Sequence, residues 1–200
     1  MQPTEVRLVW SPEALHIAFA CRDDDILADP AMADDDNLYK ADVCEVFIDG
    51  KGDQRQWIEI QVSPLNRVLD LVSTMTAEPV YTEELRLTQE VVDRDFWSDR
   101  SWKAQGMSTA SGRLAVDGKT VGWTVEMSIP ASAILRRLGV EVLSPMSIRA
   151  NILRYDHPLE GGCRRFVQSN WAPVAHGCPH ISPVAMGILR LVESAPRVEP

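Results

Sequence analysis

The chain of 200 residues carries 29 acidic and 20 basic side chains, a formal net charge of −9 at pH 7 and an isoelectric point near 4.9. It lacks the basic footprint that nucleic acid or an anionic membrane surface requires, so neither is expected as its main partner. An apolar fraction of 45% supports a folded core and opposes disorder, and no run of residues approaches the ~20 apolar positions of a membrane-spanning helix.

The first residues, Met1-Gln2-Pro3-Thr4-Glu5-Val6, show no basic start followed by an apolar core, so no signal peptide is read in them. Glu5 to Trp10 is a predicted strand and Ser11-Pro12-Glu13 a turn. Leu15, Ile17, Phe19 and Cys21 then alternate with His16, Ala18 and Ala20. Asp23 to Asn37 reads as an acidic loop. Strands are predicted over Asp42 to Asp49, Gln56 to Val62 and Arg67 to Ser73, with residues 74–100 left unassigned.

A strand is placed near Lys103 to Thr109, and Asp117-Gly118 marks a hairpin turn between Arg113–Val116 and Thr120–Ile129. A short helix is expected near 131–138. Pro130 stands at its start, Ile134, Leu135 and Leu138 follow helical spacing, and Gly139 lies just past its end. Ser147 to Tyr155 and Gly187 to Val192 are late strands, separated by a long loop rich in Pro, Gly and His. Short alternating runs between turn residues predict an all-β, two-layer antiparallel sandwich. It is expected as one domain over 1–194, with a disordered tail at 195–200.

Alternation assigns each strand two faces. Cys44, Val46 and Ile48 oppose Val43, Glu45, Phe47 and Asp49; Ile58, Ile60 and Val62 oppose Trp57, Glu59 and Gln61. The second face mixes carboxylates and amides with rings, and is expected to be open to water. Planar polar groups beside aromatic rings are what sugar recognition uses, the former for hydroxyls and the latter for C–H faces. Cys21 and Cys44 read as small core residues. Cys163 and Cys178, in loop sequence, could pair in an exported protein.

The motif order resembles that of family 9 carbohydrate-binding modules and the related DOMON-like sandwich domains, immunoglobulin-like or jelly-roll-like in architecture. The likeness is carried by Leu38-Tyr39-Lys40-Ala41-Asp42-Val43-Cys44-Glu45-Val46-Phe47-Ile48-Asp49, by Trp57-Ile58-Glu59-Ile60-Gln61-Val62-Ser63-Pro64 and by Gly122-Trp123-Thr124-Val125-Glu126-Met127-Ser128-Ile129-Pro130. Asn151-Ile152-Leu153-Arg154-Tyr155-Asp156, Ser169-Asn170-Trp171-Ala172-Pro173 and Met186-Gly187-Ile188-Leu189-Arg190-Leu191 continue it.

The resemblance implies a non-catalytic domain that binds an oligo- or polysaccharide end outside the cytoplasm. In that family two tryptophans clamp a terminal sugar. By position the first clamp falls on Tyr39, a carboxylate on Glu45, an arginine on Gln61 and the second clamp on His180. Glu59, Arg154 and Trp171 complete the expected ligand-binding set.

A DOMON-like haem domain is the alternative, with Met186, His176, His180 or Lys40 as axial ligands, although no CxxCH attachment motif is present. A third reading is an orphan scaffold or interaction module accompanying a carbohydrate-active enzyme. Glu45 and Glu59 could form a glycosidase pair, but an open sheet face does little to raise an acid's pKa, so no catalysis is expected. No cofactor is required by this reading. Structural calcium is a candidate at Asp23, Asp24 and Asp25, without EF-hand spacing.

Overall fold

A computed structural model describes residues 2–174 and 177–193. The expected tail at 195–200 and the haem candidate His176 lie outside the described residues.

The strands in chain order are β1 (Thr4–Trp10), β2 (Ala14–Arg22), β3 (Val43–Asp49), β4 (Gln56–Val62) and β5 (Val68–Met75). A helix, α1 (Gln89–Asp95), leads into β6 (Phe96–Asp99). They are followed by β7 (Ser108–Val116), β8 (Lys119–Pro130), α2 (Ala131–Ile134), β9 (Met146–Asp156), β10 (Leu159–Glu160), β11 (Cys163–Arg164), β12 (Val167–Asn170) and β13 (Gly187–Leu191).

Two large antiparallel sheets and a two-stranded one, β10-β11, are formed among the described residues. One large sheet has the order β1-β2-β8-β7, the other β12-β9-β3-β4-β5-β6, with β13 also pairing β9. The free edge of β9 is shared: β13 pairs with residues 146–150 and β12 with residues 153–156. The all-β sandwich is therefore as expected from the alternation.

Local sequence explains the main turns. Asp117 and Gly118 have φ of 49° and 76°, the paired positive values of a tight turn whose twist suits β7 and β8. The short helix is found, but only as one turn over Ala131–Ile134; residues beyond it form turns. Helix α1 and strand β6 occupy part of the segment that the sequence left unassigned.

The first core lies between the sheets. Leu15, Ile17 and Phe19 of β2 and Trp123, Val125 and Met127 of β8 meet Val46 and Ile48 of β3, Ile58 and Ile60 of β4, and Ile148 and Ile152 of β9. Those of β2, β3 and β4 are the alternating apolar faces predicted above.

A second apolar cluster covers the other face of the larger sheet. Val43, Phe47, Trp57, Leu69, Leu71, Leu153 and Tyr155 of the strands are capped by Leu38, Leu87, Val91 and Met186 from connecting segments. Trp57 stacks on Phe96 at 5.7 Å. Covering this face removes apolar area from water at about 25 cal/mol per Å². It also overturns the expectation of an open second face: Glu45 is 0% exposed, Gln61 1% and Glu59 2%.

Candidate functional site

Strand pairing builds a polar island inside the second cluster. Glu45 of β3 stands directly opposite Gln61 of β4, and Glu59 lies two residues back on the same side of β4. The Gln61 amide nitrogen Nε2 donates to Glu45 Oε1 at 2.7 Å and to Glu59 Oε1 at 2.8 Å. A 3₁₀ turn, Pro179–Ile181, lowers His180 onto the island. Its Nδ1 is 3.0 Å from Glu59 Oε2, and its ring sits edge-on to Phe47 at 5.3 Å. Among the described residues, Glu45 Oε2 and Gln61 Oε1 have no hydrogen-bond partner.

The island separates its two acids. Burial, then the charge of Glu59, pushes the Glu45 carboxyl well above the usual range. Burial also works against the Glu59 charge, but the imidazole of His180 outweighs it and holds the carboxyl low. Burial opposes charge on His180 too. Glu59, as a charge and as a hydrogen-bond partner, overcomes it and lifts the ring to about 10. The arrangement favours an imidazolium on His180 beside an ionised Glu59, and it opposes ionisation of Glu45. The Tyr155 hydroxyl lies against Glu45, and burial, then the Glu45 charge, raises it far above its ordinary value.

Exposed rings lie around this island. The turn Leu38–Lys40 carries Tyr39, 43% exposed, and packs over β4. Phe166, 55% exposed, packs on Tyr155 at 5.0 Å and on His157 at 5.5 Å. Its sequence neighbours Arg165 and Val167 gave no signal that would single it out. The side chain of His180 is 36% exposed and is the island's opening to solvent.

The other two expected residues belong elsewhere. Arg154 alternates to the opposite face of β9. Its Nη2 reaches Asp23 Oδ2 at 3.0 Å and Asp156 Oδ1 at 3.1 Å; its Nη1 donates to the Arg22 carbonyl at 2.7 Å. Trp171, 50% exposed, lines a cleft of about 430 Å³ at the sandwich edge with Arg154, Asn170, Val6, Leu8 and Leu189. The seven expected residues thus divide into one cluster of four (Glu45, Glu59, Gln61, His180), a surface ring (Tyr39) and an edge cleft (Arg154, Trp171).

Trp171 is held by the lack of a side chain at Gly187, where a Cβ would come 2.7 Å from ring atom Cζ3. Gly187→Ala is expected to swing the half-exposed indole outward, with a stability loss of about 1 kcal/mol. The check is a change in tryptophan emission that disappears when the same substitution is made in a Trp171→Phe background.

Among the described residues two groups have metal-ligand chemistry, each with donor atoms within 4.8 Å of one another: Glu45, Glu59 and His180, and Asp23, Asp42 and Asp156. Protein cations already serve both. His180 balances Glu59, and Arg154 balances Asp23 and Asp156. The expected calcium triad does not converge. Asp23 points inward to Arg154, Asp25 takes the fork of Arg164 at 2.7 and 3.1 Å, and Asp24 is exposed. The described haem candidates do not share a cavity wall. Met186 is packed in the second apolar cluster, His180 is engaged by Glu59, and Lys40 lies on a surface turn.

No protein-family model matches the chain, and no curated protein matches it. Among solved structures, the fold is similar to a crystal structure of a "putative carbohydrate-binding protein" from Bacteroides uniformis. The TM-score is 0.62 at 17% identity, over 96% of this chain and 79% of the other. At that identity the likeness speaks for the fold alone.

Proposed function

We propose that residues 1–194 form a non-catalytic carbohydrate-binding domain that takes a sugar or glycan end on the outer side of the larger sheet. The observation that carries this reading is the grouping of an ionised Glu59–His180 pair with exposed rings at its margin, Tyr39 on one segment and Phe166 on another. Rings offer stacking surfaces for the C–H faces of a pyranose. The half-exposed imidazolium is a donor for hydroxyl groups, and the buried Glu59 behind it holds its charge. The similar solved structure adds a fold that is compatible with such a role.

The buried position of Glu45 shapes the proposal. A sugar meets His180 first, and the unpartnered Glu45 Oε2 and Gln61 Oε1 are reached only if the turn Pro179–Ile181 lifts. Glu45 and Glu59 are sealed from bulk water, which a hydrolytic carboxylate pair must contact. The reading therefore assigns binding and no bond cleavage.

Calorimetric titration of the full chain, guided by a glycan array, tests this. Binding is expected for at least one mono- or oligosaccharide. Tyr39→Ala, Phe166→Ala and His180→Ala should each weaken it roughly tenfold, about 1.4 kcal/mol. Absence of binding to every glycan, or affinities indifferent to all three substitutions, would leave the orphan-scaffold reading in its place.

A further inference from the structure

Cys21, near the end of β2, and Cys44, near the start of β3, belong to opposite sheets. Their sulfur atoms are 3.5 Å apart, and both residues are 0% exposed. Neither sequence spacing nor the rest of the site accounts for this meeting. The other two cysteines are elsewhere: Cys163 is exposed on β11, and Cys178 precedes the turn that carries His180.

We propose that Cys21 and Cys44 are a modification site, a thiol pair that closes into a disulfide joining the two sheets when the chain folds under oxidising conditions. A disulfide needs sulfur atoms about 2.05 Å apart. The remaining gap is of the size that small χ1 adjustments of two side chains can close.

In the unfolded chain either thiol can start the exchange, and the same balance holds from Cys21 or from Cys44.

The step balances with an external disulfide of the glutathione class as oxidant. The Cys21 thiolate attacks one of its sulfurs and expels the other as a thiolate, which takes up the proton that Cys21 lost. Cys44 then loses its proton and attacks Cys21 Sγ, releasing the second external thiol. The chain loses two hydrogens, and one external disulfide becomes two thiols. Because both sulfurs are sealed in the folded state, the first attack belongs to folding, before the sheets close.

The test is refolding of the full chain from denaturant, in parallel with oxidised plus reduced glutathione and with excess reductant. The oxidised sample should weigh about 2 Da less. Proteolysis should release a Cys21–Cys44 linked peptide pair, and the melting temperature should rise by about 5 °C or more. The Cys163→Ala/Cys178→Ala double variant leaves the core pair in place and should show the same mass loss. Full alkylation of Cys21 and Cys44 after oxidative refolding of that variant, or linkage of either to Cys163 or Cys178 in the parent chain, overturns the proposal.

Discussion

Arg154→Met should destabilise the protein by about 3–5 kcal/mol, the cost of removing one partner from a buried ion pair. Arg154 is 2% exposed and ties three segments together. Two of its contacts are carboxylates, Asp23 and Asp156; the others are the Arg22 carbonyl and the Thr4 hydroxyl at 3.2 Å. Methionine replaces its length and volume but none of its donors. The two carboxylates would then face each other and Asp42 with no cation between them. Burial leads a set of effects that already lifts Asp23 to about 6 with the guanidinium present. Without it, both acids are driven further toward the neutral form. The comparison that isolates charge from packing is the triple variant Arg154→Met/Asp23→Asn/Asp156→Asn. It should recover much of the loss in urea denaturation at pH 7. A loss below about 1 kcal/mol in the single variant would mean that the ion pairs contribute no more than surface contacts do.

The same region shows what alternation could and could not convey. The inner faces of β3 and β4 were legible because Val46, Ile48, Ile58 and Ile60 fall on one side of each strand with no polar residue among them. The outer face was misjudged because Glu45, Glu59 and Gln61 were weighed more heavily than Val43, Phe47, Trp57, Leu69, Leu71 and Tyr155 around them. A strand apolar on both sides is covered on both sides. The run Val43-Cys44-Glu45-Val46-Phe47-Ile48 already showed that pattern, with one interruption.

The cover itself was illegible. Leu38, Leu87, Val91 and Met186 come from separate connecting segments, and no local period marks them as members of one cluster. The resemblance brought Glu45, Gln61 and His180 to one place, and the hydrogen bonds unite them with Glu59. It did not separate Arg154 and Trp171 from that group. Those two depend on which face of β9 is used and on the route the chain takes after β12.

The charge state of the polar island leads to the second large effect. Glu59→Ala removes the one anion beside the His180 imidazolium and both Glu59 hydrogen bonds, to Gln61 and His180. A loss of about 3 kcal/mol is expected, at the low end for a buried pair because the imidazole is 36% exposed and partly screened. Glu45→Gln should behave differently. Burial and the Glu59 charge favour the protonated form of Glu45, so a neutral amide is a near replacement, and the loss should stay within about 1 kcal/mol at pH 7.

The pH dependence follows from the same shifts. His180 is raised from 6.5 to about 10, so its contribution is complete below pH 6.5 and fades as pH climbs toward 10. Glu59 is depressed below 4.5, so its contribution is present above that value and is lost on acidification. Glu45 is raised, so the unfolded chain ionises it above pH 4.5 while the folded chain resists, which also lowers stability as pH rises. Both alkaline trends have one sign. Between pH 6.5 and 9.5 the native protein should lose about 1–2 kcal/mol more than His180→Gln does, after discounting for solvent screening. Urea midpoints measured across that range decide the matter. Parallel curves for the two proteins would show that His180 carries no stabilising charge. An alkaline loss of stability that persists in His180→Gln but vanishes in Glu45→Gln would place the titration on the carboxyl instead of the ring.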